Sequence, residues 1–188
     1  MQGRLASIAV ALSVLLAVPL VGATAAFAQS TSSSAPAGYH EHVRTAMSSF
    51  VVGDHDSAAR HFREALALAP SQPDALCYMA EMNRATGDLN GALDGFQDCL
   101  RFAREGNDRR FVARALHGIA STLERMPERT QDARNAWQEY IRFADTSGGL
   151  ADGRIGRTRT EVIDAWVALE QRMVEVRARI AERERAAH

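Results

Sequence analysis

The chain has 188 residues, 46% hydrophobic and 24% charged, a globular balance that fits one domain and excludes a disordered tail. Its 22 basic and 23 acidic residues leave a formal charge of -1, so no global field recruits nucleic acid or an anionic lipid surface. Every basic side chain except histidine is arginine, a bias that genome composition explains more simply than selection for bidentate anion contacts.

Arg4 precedes an uncharged, largely apolar run from Leu5 to Ala28, which ends in Ala26-Phe27-Ala28 ahead of Gln29. That small-x-small ending is the pattern of a secretory cleavage site. Residues 1–28 are expected to be a signal peptide cut between Ala28 and Gln29. The segment resembles the export signals of Gram-negative bacteria, which implies a periplasmic or secreted protein. About 20 apolar residues suffice to span a bilayer, so an uncleaved anchor is the alternative and the one route to membrane attachment. Residues 29–38, QSTSSSAPAG, hold no large apolar side chain and read as a flexible linker.

The stretch GDHDSAARHFREAL, from Gly53, returns thirty-four residues later as GDLNGALDGFQDCL, from Gly87. The offset superposes Gly53 on Gly87, Asp54 on Asp88, Ala58 on Ala92, Phe62 on Phe96 and Leu66 on Leu100, and before the turn Ala46 on Ala80. Each unit reads as a helix, a Gly-Asp turn and a second helix whose apolar residues recur by four and three. Gly at the turn supplies the positive φ that ends the first helix, and Asp caps the second. The alanines, twelve apart across the turn, mark where the two helices approach closely.

A hairpin cannot hide its apolar stripe alone, so further copies are required. A third is legible in Leu116, Ile119, Ala120 and Leu123, followed by Ala133, Trp137, Tyr140 and Ile141, with Pro127 in place of the turn glycine. The pattern resembles the tetratricopeptide repeat family, closely over 39–72 and 73–106 and loosely over 107–146. The resemblance implies an all-α, right-handed solenoid of about three helix-turn-helix repeats spanning 39–146. His42, Thr45 and Ser49 depart from it, standing where the family places larger apolar groups.

Residues 147–188 are expected to hold a long C-terminal helix, started by a Thr158–Glu161 capping box or already near Leu150. Val162, Trp166, Leu169, Met173, Val176 and Ile180 alternate steps of four and three, a heptad seam. Two readings stay open. The seam caps the last repeat, with Val162 through Leu169 laid over its exposed edge, or its distal part pairs with a second copy to make a homodimer. Glutamates interleaved with the arginines argue against a membrane-surface helix.

No catalytic constellation emerges, and no cofactor is expected. GGLADGRIG lacks the spacing of a phosphate cradle, and no nucleophile sits in a recognisable elbow. The six histidines show no HExxH, and no pair of them is expected to have a carboxylate or Cys at ligand spacing, so metal binding is not expected. Cys77 and Cys99 lie on the two helices of the second unit, in a compartment that permits oxidation. A bridge would close about 22 residues, worth roughly 3 kcal/mol; alternatively Cys99, in the site Ala65 fills one unit earlier, is a small buried hydrophobe.

What remains is a binding surface. In the family that the chain resembles, first helices line a peptide-holding groove. The matching positions are Val43, Met47 and Phe50, then Cys77, Tyr78, Glu81 and Arg84, then His117, Ser121 and Glu124. The first three serve either as its greasy end or as core of an irregular first unit. The Lys and Asn pattern that clamps a C-terminal carboxylate in some relatives is missing. The expected function is a non-catalytic scaffold for proteins or peptide segments of the bacterial envelope, not for nucleic acid. A structural subunit self-associating through the C-terminal helix is the alternative.

Overall fold

The computed structural model describes residues 35–187. The expected signal peptide, its Ala28–Gln29 junction and residues 29–34 of the linker lie outside the described residues, as does His188. The described residues contain seven α-helices and no strand: α1 (Tyr39–Val51), α2 (His55–Leu68), α3 (Pro73–Thr86), α4 (Leu89–Glu105), α5 (Arg109–Leu123), α6 (Thr130–Thr146) and α7 (Gly153–Ala186). A single 3-10 turn, Pro127–Arg129, precedes α6. No described helix is long and apolar enough to cross a membrane.

The two copies of the repeated stretch take the same local structure for the same reasons. Gly53 and Gly87 have φ of 83° and 95°, a region that costs glycine nothing. Asp54 then accepts from the Ser57 amide at 3.0 Å, and Asp88 from the Gly91 amide at 2.9 Å, capping α2 and α4. Ala46, Ala58, Ala80 and Ala92 are fully buried, as are Phe62 and Phe96. Burying each phenylalanine contributes about 1.5–3 kcal/mol, and only a small partner lets the paired helices close around it.

The third pair is built differently. The longer join before it is absorbed by α4, which runs to Glu105, and by Asn107 at φ 52°, a conformation asparagine tolerates. Asp108 caps α5 through the amides of Arg110 and Phe111. Ala120 and Ala133 are fully buried although the turn between them carries Pro127.

Each helix packs on the next in sequence, and α3 also touches α5 and α1 touches α3. No contact of comparable extent joins α2 to α4 or α4 to α6 among the described residues. The odd-numbered helices α1, α3 and α5 are thus in contact in turn, in addition to the packing of each helix on the next. Cys77 and Cys99 are joined by a disulfide across a Cα–Cα distance of 5.4 Å, tying α3 to α4.

Helix α7 takes the earlier of the two expected starts and departs from expectation in the face it docks. It starts at Gly153, capped by Asp152, so Thr158 lies inside it and caps nothing. Its docking face is Gly153, Gly156, Thr160, Ile163 and Val167, one step around from the seam. Val162, Trp166 and Leu169 are 38%, 66% and 43% exposed, so they do not cover the last repeat. The cause is close approach: a Cβ at Gly156 would lie 2.7 Å from Ile141 Cγ1, so the small residues settle which side of α7 faces α6.

The same test makes Gly118 a keystone of α5. A Cβ there would stand 2.4 Å from Cε1 of Phe96, whose ring is fully buried. Alanine gains roughly 0.5–1 kcal/mol over glycine inside a helix. Overpacking a core costs roughly 1–3 kcal/mol. Gly118→Ala should therefore lower the midpoint of guanidinium unfolding followed by circular dichroism. A raised midpoint would mean the Phe96 ring yields freely.

Candidate functional site

Where α3 meets α5, the two helices carry a row of polar and aromatic side chains. Arg114 of α5 donates from Nε to Glu81 Oε1 of α3 at 2.7 Å, and from Nη2 to Oε2 at 3.3 Å. Its guanidinium lies 4.7 Å from the centre of the Tyr78 ring, which meets Phe111 edge-on at 6.0 Å. One turn along, His117 stands edge-on to both Trp137 and Tyr140, at 5.4 and 5.7 Å.

Glu124 closes the row. Its Oε2 accepts from Trp137 Nε1 and from Arg159 Nε, both at 3.0 Å, and its Oε1 pairs with the other end of the same guanidinium. A carboxylate so fully engaged positions its neighbours rather than abstracting protons. With Ser121, Arg125 and Ile155 these residues line a cleft of about 440 Å³. The Ser121 hydroxyl donates to the Gly118 carbonyl of its own helix at 3.2 Å. Arg84 Nε is buried without a hydrogen-bond partner, beside the cleft, while its carbonyl accepts from Arg125.

Of the ten residues expected to line the groove, Tyr78, Glu81, Arg84, His117, Ser121 and Glu124 are half-buried and stand on α3, α5 or the turn that ends α5. Cys77 is a correction: it is fully buried in its disulfide and offers nothing to a ligand. Val43, Met47 and Phe50 are half-buried and pack on the first unit's core, Val43 near Tyr39 and Ala65, the others near Phe62 and Met82. Arg114, Trp137 and Arg159 join the site from elsewhere in the chain. One signal pointed to Trp137, since a buried indole N–H needs an acceptor.

A second cluster overturns the expectation that no pair of histidines has a carboxylate at ligand spacing. His61 and Glu64 are three residues apart on α2, hence on one face, and His42 of α1 meets them. The two Nδ1 atoms are 3.2 Å apart and lie 3.0 and 2.8 Å from Glu64 Oε2. Spacing read along one helix at a time hides this pairing with His42.

No protein-family model matches the chain, and comparison with curated proteins returns no match.

Burial, and after it the Arg84 guanidinium, hold His117 below the usual imidazole value, against a weaker upward pull from Glu81. The unfolded chain takes up this proton near pH 6.5, while the folded one resists until lower pH. His117 thus contributes stability that is complete above about pH 6.5 and lost as pH falls through the folded value. His117→Gln should lose less thermal stability than the parent between about pH 7.5 and pH 5, with scanning calorimetry as the measure. Equal losses would place the pH dependence elsewhere.

Proposed function

We propose that the chain is a non-catalytic protein-interaction scaffold of the tetratricopeptide repeat kind, exported to the bacterial envelope. On this reading α1 to α6 form three repeats of a right-handed solenoid, and α7 closes the last. The observation that carries it is the contact of α3 with α5, along which half-buried aromatic and charged side chains stand in a row. Matching turns at Gly53 and Gly87, with matching caps and buried alanines, support the repeat assignment. A groove whose side chains are already held by their neighbours binds a peptide segment with little ordering cost. The fitting partner is a segment that carries acidic side chains: Arg84 and Arg125 offer cationic groups and Tyr78 a ring, whereas Glu81 and Glu124 are already paired with Arg114 and Arg159.

Placing a photo-crosslinking side chain by Tyr78→p-benzoylphenylalanine, with Asp94→p-benzoylphenylalanine on exposed α4 as control, tests this in the native host. Adducts with envelope proteins should form from position 78 and be absent or weak from position 94. Equal yields, or none from position 78, would remove the groove reading.

The alternative, self-association through α7, has one observation in its favour. Every described residue from Ala168 onward is exposed, including Leu169, Met173, Val176 and Ile180 of the seam. If α7 pairs with a second copy, light scattering should give twice the chain mass, falling to one on truncation after Ala168. A monomer whose state the truncation leaves unchanged would end that reading.

A further inference from the structure

The geometry points to a divalent metal site on the first hairpin, formed by His42, His61 and Glu64 and separate from the proposed groove. Three donor atoms of two chemical types, drawn from two helices, face one another across edges of 2.8, 3.0 and 3.2 Å. A circle through them has a radius of about 1.7 Å, so a cation bonded to each at about 2.0–2.1 Å sits roughly 1 Å above their plane. The angles at that cation come to roughly 85–105°, the range of one face of an octahedron or a compressed tetrahedron.

Without a cation the arrangement is poorly satisfied. If both rings carried a proton on Nδ1, two N–H groups would crowd onto one oxygen about 70° apart. If one ring did not, its lone pair would face the carboxylate. A cation accepts all three lone pairs at once. Neither histidine is deeply buried, with side-chain exposures of 32% and 22%, so water reaches the open side as a further ligand. No arginine pairs with Glu64 among the described residues, leaving its charge to the imidazoles.

Two imidazoles with one carboxylate favour zinc and its first-row neighbours over calcium or magnesium, which prefer all-oxygen shells. Bound there, Zn²⁺ adds a polar link between α1 and α2 to the apolar contacts of Ala46, Ala58 and Phe62 that join them. The bonded cysteines leave no thiolate to compete.

The test is calorimetric titration of the untagged, EDTA-treated chain with ZnCl₂ at neutral pH, beside a thermal melt with and without zinc. One Zn²⁺ per chain is expected, with a raised melting temperature. His61→Gln and Glu64→Gln each remove one of three protein ligands, so affinity should fall by more than the about 10–100-fold that an outer-shell change costs. Both variants should lose the zinc-dependent rise in melting temperature, and His117→Gln should behave as the parent does. Glu64 is 43% exposed, so Glu64→Gln keeps the fold intact if the hairpin is sensitive at His61. No stoichiometric binding by the parent, or parent-like binding by folded Glu64→Gln, would overturn the proposal.

Discussion

The contact on which the rest depends is the close approach of neighbouring helices at small side chains. Ala46, Ala58, Ala80, Ala92, Ala120 and Ala133 are buried to zero exposure, Gly95 of α4 lies close against Ala80 of α3, and Gly118 and Gly156 leave less than the room of a methyl group. Protein interiors pack densely and relax only in part, so these positions hold the helix spacing rigidly. The aromatic residues between them, Phe62, Phe96 and Trp137, then fill the gaps each close contact leaves on either side. Dispersion and burial supply the stability, and the small residues decide the geometry in which they do so.

That division explains why the polar row on α3 and α5 contributes little to folding. The Glu81–Arg114 pair is partly exposed, at 29% and 40%, and such pairs are worth about 0–1 kcal/mol. Its effect is positional: the planar guanidinium is held against Glu81 and over Tyr78, which fixes the ring's attitude. The Trp137–Glu124–Arg159 chain does the same one turn on, drawing α7 into the cleft wall. A surface organised by pairs of this strength is rigid only because the alanine contacts behind it are.

The parts of the fold legible in the sequence were those governed by local physics. Gly53, Gly87, Asp54 and Asp88 act within a few residues of themselves, and the thirty-four-residue offset made their equivalence visible. Contacts between distant segments were less legible. His42 meets His61 across the hairpin, Arg114 meets Glu81 across two helices, and no periodicity along either helix encodes those meetings. Cys77 illustrates the opposite error: its position on the inner helix suggested the groove, yet its bond to Cys99 turns it into the core. The face of α7 was misread because the heptad seam is the louder signal. Gly153 and Gly156 carry no hydrophobicity, yet they choose the docked side.

Helix α7 consequently has two faces with different tasks. Thirty-four residues make a helix about 51 Å long, twice the length of the seventeen-residue α6 on which it docks. Its first half is held by Gly156, Ile163 and the Arg134–Asp164 pair. Every residue of its second half is exposed among the described residues, and isolated helices of about 12–15 residues are marginal in water. Local support there is slight, since Glu175 and Arg179 pair at 3.8 Å between exposed side chains. The apolar seam recurs at two positions in seven, a stripe too narrow to lie on a lipid surface but the width that two helices share. The apolar surface that α7 leaves exposed therefore lies on its distal half, while its docked half supplies Ile155 and Arg159 to the cleft beside α5.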